Sequence, residues 1–260
     1  MSYFDIDKSG RRRLGAVVLG RADYGEADLI VTFLTRELGL VTALARYGRR
    51  SIRRFGGGLL SPGTAAWYDF TFKTHTDLAF VEEAEANPRV AHIGADPVRQ
   101  GLASFALELV RGFETPGNPA GETFALLVRH LGRLARCQGE TAARRLALDF
   151  SLNYMELAGF GPRLDACLTC GAPVGDEPGW RWDPLAGGLL CPNCPDAGDK
   201  RVRRMRPRLL RRLCLGTCPA SELTEDDLTE AELFFERLAE EHLGRKLKAM
   251  KAVRRLLAGP

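Results

Sequence analysis

Two closely spaced pairs of cysteines restrict the fold of this 260-residue chain more than any other feature. The pairs are Cys167-Leu168-Thr169-Cys170 and Cys191-Pro192-Asn193-Cys194, and twenty residues separate them. Two C-x-x-C turns at about this separation supply four thiolates that close tetrahedrally on one zinc ion. Gly171 and the Gly187-Gly188 pair allow the tight backbone that such turns need. The spacing therefore predicts a structural zinc ion held by Cys167, Cys170, Cys191 and Cys194.

Other uses of the four cysteines fit the sequence less well. Thiolates favour zinc or iron over magnesium, but a catalytic zinc keeps an open coordination position, which four cysteines do not leave. A zinc deaminase needs an H-x-E motif, and no histidine here has a glutamate two residues on. Thioredoxin-like redox chemistry requires a C-x-x-C at a helix start within a βαβ unit, and that pattern is missing.

The rest of the cysteine-rich segment predicts a small hairpin. Trp180, Trp182 and Leu190 lie between the two pairs and can form its core. Cys137, Cys214 and Cys218 are interpreted as core thiols. An odd total of seven cysteines, four of them in two tight pairs, argues for metal thiolates and against a disulfide framework. Because the N-terminus has no signal-peptide pattern, we expect the protein in the reducing cytoplasm.

The N-terminal third has the pattern of a small closed β-barrel. Five strand-like segments with turn residues between them occur at 14–21, 29–35, 40–46, 65–74 and 78–84. Their short spacing without an intervening helix predicts a five-stranded OB-fold. Alternation places Tyr68, Phe70 and Phe72 in the core, whereas Trp67 beside Lys73 is either a base-stacking platform or a half-buried structural residue.

Helical periodicity replaces the strand pattern after Asn87-Pro88. Asp96-Pro97 predicts the start of one helix, a second includes Phe124 to Leu134, and a third runs from about Thr141 to Gly159. Thr229-Glu230-Ala231-Glu232 has capping-box form and predicts the start of a C-terminal helical region. The predicted fold class is α+β multidomain: an OB-fold at 1–86, a helical body at 87–163 and 200–260, and an inserted four-cysteine zinc finger at 164–199.

Two arginine-rich segments dominate a net charge of only +4. The first contains Arg46, Arg49, Arg50, Arg53 and Arg54 with no acidic residue among them, and the second runs from Lys200 to Arg212. Such clusters attract polyanions because each cation near a phosphate releases condensed counterions. For the second segment, a solvated face in an arginine-rich composition is an equal alternative.

The sequence does not indicate an enzyme or a membrane protein. It lacks a Walker A loop, a G-x-S-x-G nucleophile motif and an H-E-x-x-H zinc motif. The acidic triplet Glu225-Asp226-Asp227 precedes an apolar-periodic segment, which favours helix N-terminal charge over a magnesium site. No run approaches the roughly 18 apolar residues of a bilayer span, and the N-terminus has no signal-peptide pattern.

Several short motifs, in this order, resemble the RecO family of bacterial recombination-mediator and DNA-repair proteins. The N-terminal ones are Arg21-Ala22-Asp23-Tyr24-Gly25-Glu26-Ala27-Asp28, Gly39-Leu40-Val41 and Ala45-Arg46-Tyr47-Gly48-Arg49. The later ones are Leu157-Ala158-Gly159-Phe160-Gly161-Pro162, Cys167-Leu168-Thr169-Cys170-Gly171, Gly187-Gly188-Leu189-Leu190-Cys191 and His242-Leu243-Gly244-Arg245-Lys246-Leu247-Lys248.

The resemblance implies binding of single- and double-stranded DNA, annealing of complementary strands, and cooperation with RecR in loading RecA onto strands covered by single-strand-binding protein. It also implies a bound zinc ion, a location at the nucleoid, and a site for the acidic tail of single-strand-binding protein. We expect the first arginine cluster to contact the DNA backbone, assisted by Arg11, Arg12 and Arg13. The alternatives are a zinc-ribbon factor that reads DNA or RNA sequence and a metal-dependent nuclease.

Overall fold

The computed structural model describes residues 10–73, 76–86, 93–175, 177–195, 202–210, 212–213 and 218–257. Cys214, Lys200, Arg201 and Arg211 lie outside these residues. The chain separates into two compact units, residues 1–137 and residues 138–259. The three-part division at 86, 163 and 199 remains a prediction.

Five strands of the first unit close into a barrel in the order β1-β2-β3-β5-β4. Neighbouring strands are antiparallel except for β3 and β5, and β1 pairs with both β2 and β4 to complete the closure. The predicted OB-fold is confirmed. The strands are β1 (Arg11–Tyr24), β2 (Asp28–Thr35), β3 (Gly39–Ala45), β4 (Ala65–Thr71) and β5 (Leu78–Ala86).

Side-chain alternation fills the barrel. Tyr68, Phe70 and Phe72 are buried as predicted, and Phe33 meets Tyr68 and Phe70 edge to face at centroid distances of 4.8 and 5.1 Å. Such aromatic pairs add packing energy to the area they bury. The outward-facing Trp67 is 45% exposed and packs on Gly15, where an added Cβ would lie 3.5 Å from the indole ring.

Helices account for most of the remaining described residues. The first unit contains α1 (Ile52–Phe55), α2 (Pro97–Phe113) and α3 (Gly121–Arg136). The second contains α4 (Glu140–Leu157), α5 (Pro207–Leu210), α6 (Glu225–Leu243) and α7 (Ala249–Leu257), and 3-10 turns lie at Gly56–Gly58 and Ala220–Glu222. Asp96 caps α2 by accepting from the Arg99 N–H at 2.9 Å, as the Asp-Pro pair predicts. In the described part of the chain no helix is long and apolar enough to cross a bilayer.

The capping box predicted at Thr229 is wrong. Helix α6 begins at Glu225, and Thr224 caps it by exchanging hydrogen bonds with Asp227. The acidic triplet therefore occupies the first turn of the helix, where it was predicted. Glu232 lies inside the helix, 7% exposed, and receives hydrogen bonds from Arg144.

A four-stranded sheet in the second unit carries the cysteine pairs. Its order is β6-β8-β7-β9, with strands β6 (Arg163–Cys167), β7 (Arg181–Asp183), β8 (Gly188–Leu190) and β9 (Arg203–Arg204). Strands β7 and β8 form the predicted hairpin. We call these four strands the ribbon sheet. Trp180, Trp182 and Leu190 are buried as expected.

Candidate metal centre and nucleic-acid interface

The four paired cysteines converge at the edge of the ribbon sheet. The Sγ atoms of Cys167, Cys170, Cys191 and Cys194 all lie within 4.8 Å of one another, and those of Cys170 and Cys191 are 3.7 Å apart. A tetrahedron with metal–sulfur bonds of about 2.3 Å has edges of about 3.8 Å. We refer to these four residues as the sulfur cluster, and its size fits one tetrahedral ion.

The protonation of the cluster also fits a cation. Burial raises the pKa of the Cys167 thiol, but hydrogen bonds from the backbone N–H groups of Cys170, Cys191 and Thr169 outweigh it and bring the pKa to about 6. Hydrogen bonds with Cys191 and Cys170 raise the pKa of the Cys194 thiol to about 12. Sulfur atoms this close cannot all ionise unless a cation balances them, and a bound metal supplies that charge.

Arg181 of β7 fixes the second cysteine pair. Its Nη2 donates to the carbonyl oxygen of Cys191 at 2.9 Å and also to the carbonyl of Cys194. The Cys191 N–H donates to the Cys167 Sγ at 3.3 Å, which joins the two pairs. Such outer contacts hold metal ligands in position. The arginine adds a positive charge beside a site whose ligands are anionic.

An aromatic contact anchors the ribbon sheet to a helix of its own unit. The Trp182 ring meets Phe234 of α6 edge to face at 4.9 Å, and Phe234 meets Phe235 at 5.0 Å. All three side chains are at most 2% exposed. The packing gives the sulfur cluster a rigid support.

The two remaining described cysteines are not part of the sulfur cluster, and Cys137 is only half-buried, unlike the core thiol that was predicted. The Cys137 Sγ donates to the Leu134 carbonyl at 3.2 Å at the end of α3. Cys218 is buried, in agreement with its interpretation as a core thiol.

The first arginine cluster lies in the segment that leaves β3 and enters α1, and we call residues 46–54 the arginine loop. Backbone contacts fix its path: Asp28 Oδ1 accepts from the Tyr47 N–H at 2.7 Å, and the Ala27 carbonyl accepts from the Arg49 N–H at 3.1 Å. The loop is therefore joined to the β1–β2 turn. An OB-fold binds oligonucleotides on the face of its second and third strands and through the loops that join strands 1–2 and 4–5, and the arginine loop contacts the first of these loops.

The five arginines of the loop have different environments. Arg54 donates from Nε to Ser51 Oγ at 3.1 Å and from its other nitrogens to the carbonyls of Arg46 and Glu82, so it braces the loop from inside. Within the described residues, the Arg49 side chain makes one ion pair, with Asp23 at 3.6 Å, and both partners are exposed. Among the described residues, no carboxylate pairs with Arg46, Arg50 or Arg53.

The loop also reaches an aromatic ring that the sequence prediction missed. The Arg46 guanidinium lies 5.0 Å from the Phe80 ring centroid, and Lys73 Nζ lies 4.5 Å from the same centroid. Cations over an aromatic face gain a further attraction. The signal was present in the alternation of β5: Ala79 and Val81 enter the core, which turns Phe80 outward.

The three arginines at the start of β1 lie among acidic residues. Arg13 pairs with Glu85, and Arg11 lies 3.9 Å from Asp69. Arg12 is half-buried and lies two residues before the core residue Leu14, so the two side chains are on the same face of β1. Carboxylates of other barrel strands thus partly neutralise Arg11 and Arg13.

The described cations of the second arginine segment are mostly tied to their own unit. Arg206 pairs with Asp226 and Glu230 of α6 at 3.1 and 3.3 Å. Arg212 pairs with Asp149 of α4 at 2.7 Å, and Arg208 donates to the Glu222 carbonyl at 3.2 Å. Arg203 and Arg204 are exposed on β9.

The OB-fold barrel and the four-cysteine ribbon sheet define a multidomain OB-fold protein with a candidate metal centre. Family models described as "Recombination protein O N terminal" and "Recombination protein O C terminal" match residues 11–88 and 94–251. The chain belongs to the RecO family, and this membership supports a recombination-mediator role in DNA repair.

Full-length relatives agree with this assignment. The chain is 36% identical over 247 residues to a "DNA repair protein RecO" of Anaeromyxobacter dehalogenans (strain 2CP-C), covering 93% of this chain and 95% of the relative. It is 30% identical over 245 residues to that of Pelobacter propionicus, covering 94% and 96%. A Myxococcus xanthus relative of the same name is 32% identical over 236 residues, covering 90% and 93%.

Proposed function

We propose that this protein is a recombination mediator that binds single- and double-stranded DNA and anneals complementary strands. It cooperates with RecR to load RecA onto strands covered by single-strand-binding protein, whose acidic tail it also binds, and it works in the cytoplasm at the nucleoid. The observation that carries the proposal is an arginine loop without acidic residues, displayed on the OB-fold barrel of a RecO-family chain.

Annealing needs no bond chemistry from the protein. Two DNA strands repel each other through their phosphates, and a surface that presents cations to both lowers the barrier to pairing. Arg46, Arg49, Arg50 and Arg53 are the proposed phosphate contacts, and Arg54 supports the loop that displays them. The pairing bases then supply the sequence specificity.

The sulfur cluster is proposed to hold one structural zinc ion. Cys167, Cys170, Cys191 and Cys194 fill the four tetrahedral positions, so the ion stabilises the ribbon sheet and serves no catalytic step.

Arg11, Arg12 and Arg13 have a secondary part in DNA binding, because acidic neighbours reduce the field around Arg11 and Arg13.

An annealing assay tests the proposal. Complementary oligonucleotides, bare or coated with single-strand-binding protein, are mixed with the protein in the presence and absence of RecR. We expect faster annealing of both substrates, stimulation by RecR of RecA filament formation on coated strands, and loss of annealing in Arg49→Glu/Arg50→Glu/Arg53→Glu. Full annealing by the triple variant would remove the arginine loop from the proposal.

Two further outcomes would favour different functions. Cleavage of labelled DNA by the pure protein with Mg²⁺ or Mn²⁺ would indicate a nuclease. Strong preference for one sequence among unrelated oligonucleotides would indicate readout of base edges, which phosphate contacts do not provide.

A further inference from the structure

One tyrosine of the arginine loop is held in solvent by a backbone conformation that bulky residues rarely adopt. Tyr47 has φ of 53°, and within the described residues it is the only residue other than glycine with positive φ. Its side chain is 64% exposed. Strained conformations of this kind persist where the surroundings enforce them, and they concentrate at functional sites.

The surroundings of Tyr47 do enforce this conformation. Its N–H donates to Asp28 Oδ1, and its carbonyl accepts from the N–H groups of Arg50 and Ser51 at 3.0 and 2.9 Å. The next residue, Gly48, is packed so closely that an added Cβ would lie 3.0 Å from the Ala45 side chain. The ring is therefore presented on a preorganised backbone.

A second exposed ring belongs to the residue that pairs with Asp28 across the strands. Tyr24, at the end of β1, is 54% exposed and is the register partner of Asp28. Asp28 thus links the two residues, by strand pairing to Tyr24 and by a hydrogen bond to Tyr47. The cations Arg46, Arg49 and Arg50 flank Tyr47 in sequence.

Exposed rings among cations match one class of ligand, an unpaired nucleic-acid strand. Its phosphates bind arginines, and each of its bases offers a face for stacking on an aromatic side chain. In a duplex those faces are covered by neighbouring base pairs. An acidic or purely apolar partner would use only one of the two features.

We propose that Tyr47, assisted by Tyr24, is a base-stacking platform for single-stranded DNA. This inference rests on the proposed DNA binding by the arginine loop and adds to it a residue that distinguishes unpaired from paired strands. Arginine contacts hold either form of DNA, whereas the ring adds affinity only for exposed bases. The platform therefore favours strands that are ready to be annealed.

The matched variants are Tyr47→Gly and Tyr47→Phe. Glycine adopts positive φ without strain, so Tyr47→Gly removes the ring and leaves the loop conformation in place. Phenylalanine keeps the ring and removes only the hydroxyl. Thermal unfolding of both full-length variants should match that of the parent protein within a few degrees.

Binding is measured by fluorescence anisotropy on an oligo-dT strand, on the same strand with abasic sites, and on a duplex. We expect Tyr47→Gly to weaken binding to oligo-dT by about 10- to 100-fold and binding to the duplex by less than about 3-fold. Tyr47→Phe should keep the parent affinities. The abasic strand should bind the parent protein and Tyr47→Gly equally, because neither complex contains the stacked base.

The variant Arg49→Glu/Arg50→Glu separates failure of this inference from failure of the proposed function. If the arginine variant loses affinity for every strand while Tyr47→Gly binds oligo-dT normally, stacking is wrong and the phosphate contacts stand. If both variants bind all strands normally, the arginine loop is not the DNA site. Equal losses of Tyr47→Gly on oligo-dT and on the abasic strand would also overturn stacking.

Discussion

The arginine loop and the second arginine segment look alike in sequence but differ in what surrounds their cations. As far as the structure describes the chain, Arg54 is the loop arginine whose guanidinium donates to carbonyl and hydroxyl oxygens, and the loop's ion pair, between Arg49 and Asp23, is exposed on both sides. In the second segment, Arg206, Arg208 and Arg212 all bind carboxylates or carbonyls of their own unit. Arginine density therefore does not identify a binding surface, because the same residue type also joins structural elements.

Arg144 is the extreme case of an arginine that builds structure. Its side chain is 4% exposed, and it donates to Glu232 at 2.6 Å as well as to Glu225 and to Thr229 Oγ1 at 2.9 Å. It thereby joins α4 to α6. Burial raises the pKa of Glu232 even though Arg144 opposes that shift, as expected where removal from water outweighs the attraction of the pair.

The largest effect is expected from removal of the proposed zinc ion, which should affect the second arginine segment and leave the arginine loop unchanged. Structural zinc contributes on the order of 10 kcal/mol of apparent binding free energy, so chelation or Cys170→Ser should unfold the ribbon sheet, including β9 with Arg203 and Arg204. Amide hydrogen exchange should accelerate in β7 and β8 and stay slow in the barrel. The salt dependence of DNA binding should persist.

Cys137→Ser is the matched control, because this cysteine lies in the first unit and its sulfur contacts only a helix carbonyl in the contacts described above. It should retain one zinc ion per chain. A Cys170→Ser protein with full zinc content and unchanged exchange would contradict the assignment of the sulfur cluster.

The second largest effect is expected at Arg144. Arg144→Ala should lower the free energy of unfolding by about 3–5 kcal/mol, because it leaves the buried carboxylate of Glu232 without its cation. Urea unfolding measures the loss. Arg144→Met/Glu232→Leu should recover much of it, since no buried charge remains. If the double variant were as unstable as the single one, packing and not charge would explain the effect.

Local patterns in the sequence predict much of this structure, and the exceptions share a physical cause. Alternation in β4 predicts its buried face, Asp96-Pro97 predicts the start of α2, and the cysteine spacing predicts a cluster. Thr224 and Thr229 both begin a capping-box pattern, and sequence alone does not show that Arg144, 88 residues from Glu232, draws that glutamate into the helix interior. A contact between residues far apart in sequence therefore accompanies the choice of Thr224 over Thr229 as the helix cap.

The same limit applies to the candidate interface. Five arginines close together predict a cationic loop, but not that Arg54 also donates to the Glu82 carbonyl, 28 residues away. The positive φ of Tyr47 depends likewise on the carboxylate of Asp28, 19 residues away. Tertiary contacts, and not the composition of the loop, therefore decide which of its residues stabilise it and which are exposed to a ligand.

An intermediate effect is expected for the displayed arginines. Replacing Arg49, Arg50 and Arg53 with alanine should reduce the salt slope of single-strand binding by about 2, since each phosphate contact contributes roughly 0.7. Affinity at moderate salt should fall by roughly 10- to 100-fold, and the unfolding free energy should change little because these side chains bind no buried group. The slope of log K against log salt concentration is measured from about 50 to 300 mM salt, a range that includes physiological ionic strength. An unchanged slope would show that the phosphates bind elsewhere.

The smallest effect is expected from the second arginine segment. Here the free energy of unfolding should change and the salt slope of DNA binding should not, the opposite of what is expected for the arginine loop. Arg206→Ala/Arg212→Ala removes ion pairs that are only partly shielded from solvent, so we expect a loss of about 1–2 kcal/mol in unfolding free energy and no change in the salt slope. Arg204→Ala is the control, because its exposed side chain on β9 should affect neither quantity. A reduced salt slope in the double variant with unaltered stability would mean that the second segment also binds DNA. The two segments would then not differ in function, as proposed, between stabilising the fold and binding DNA.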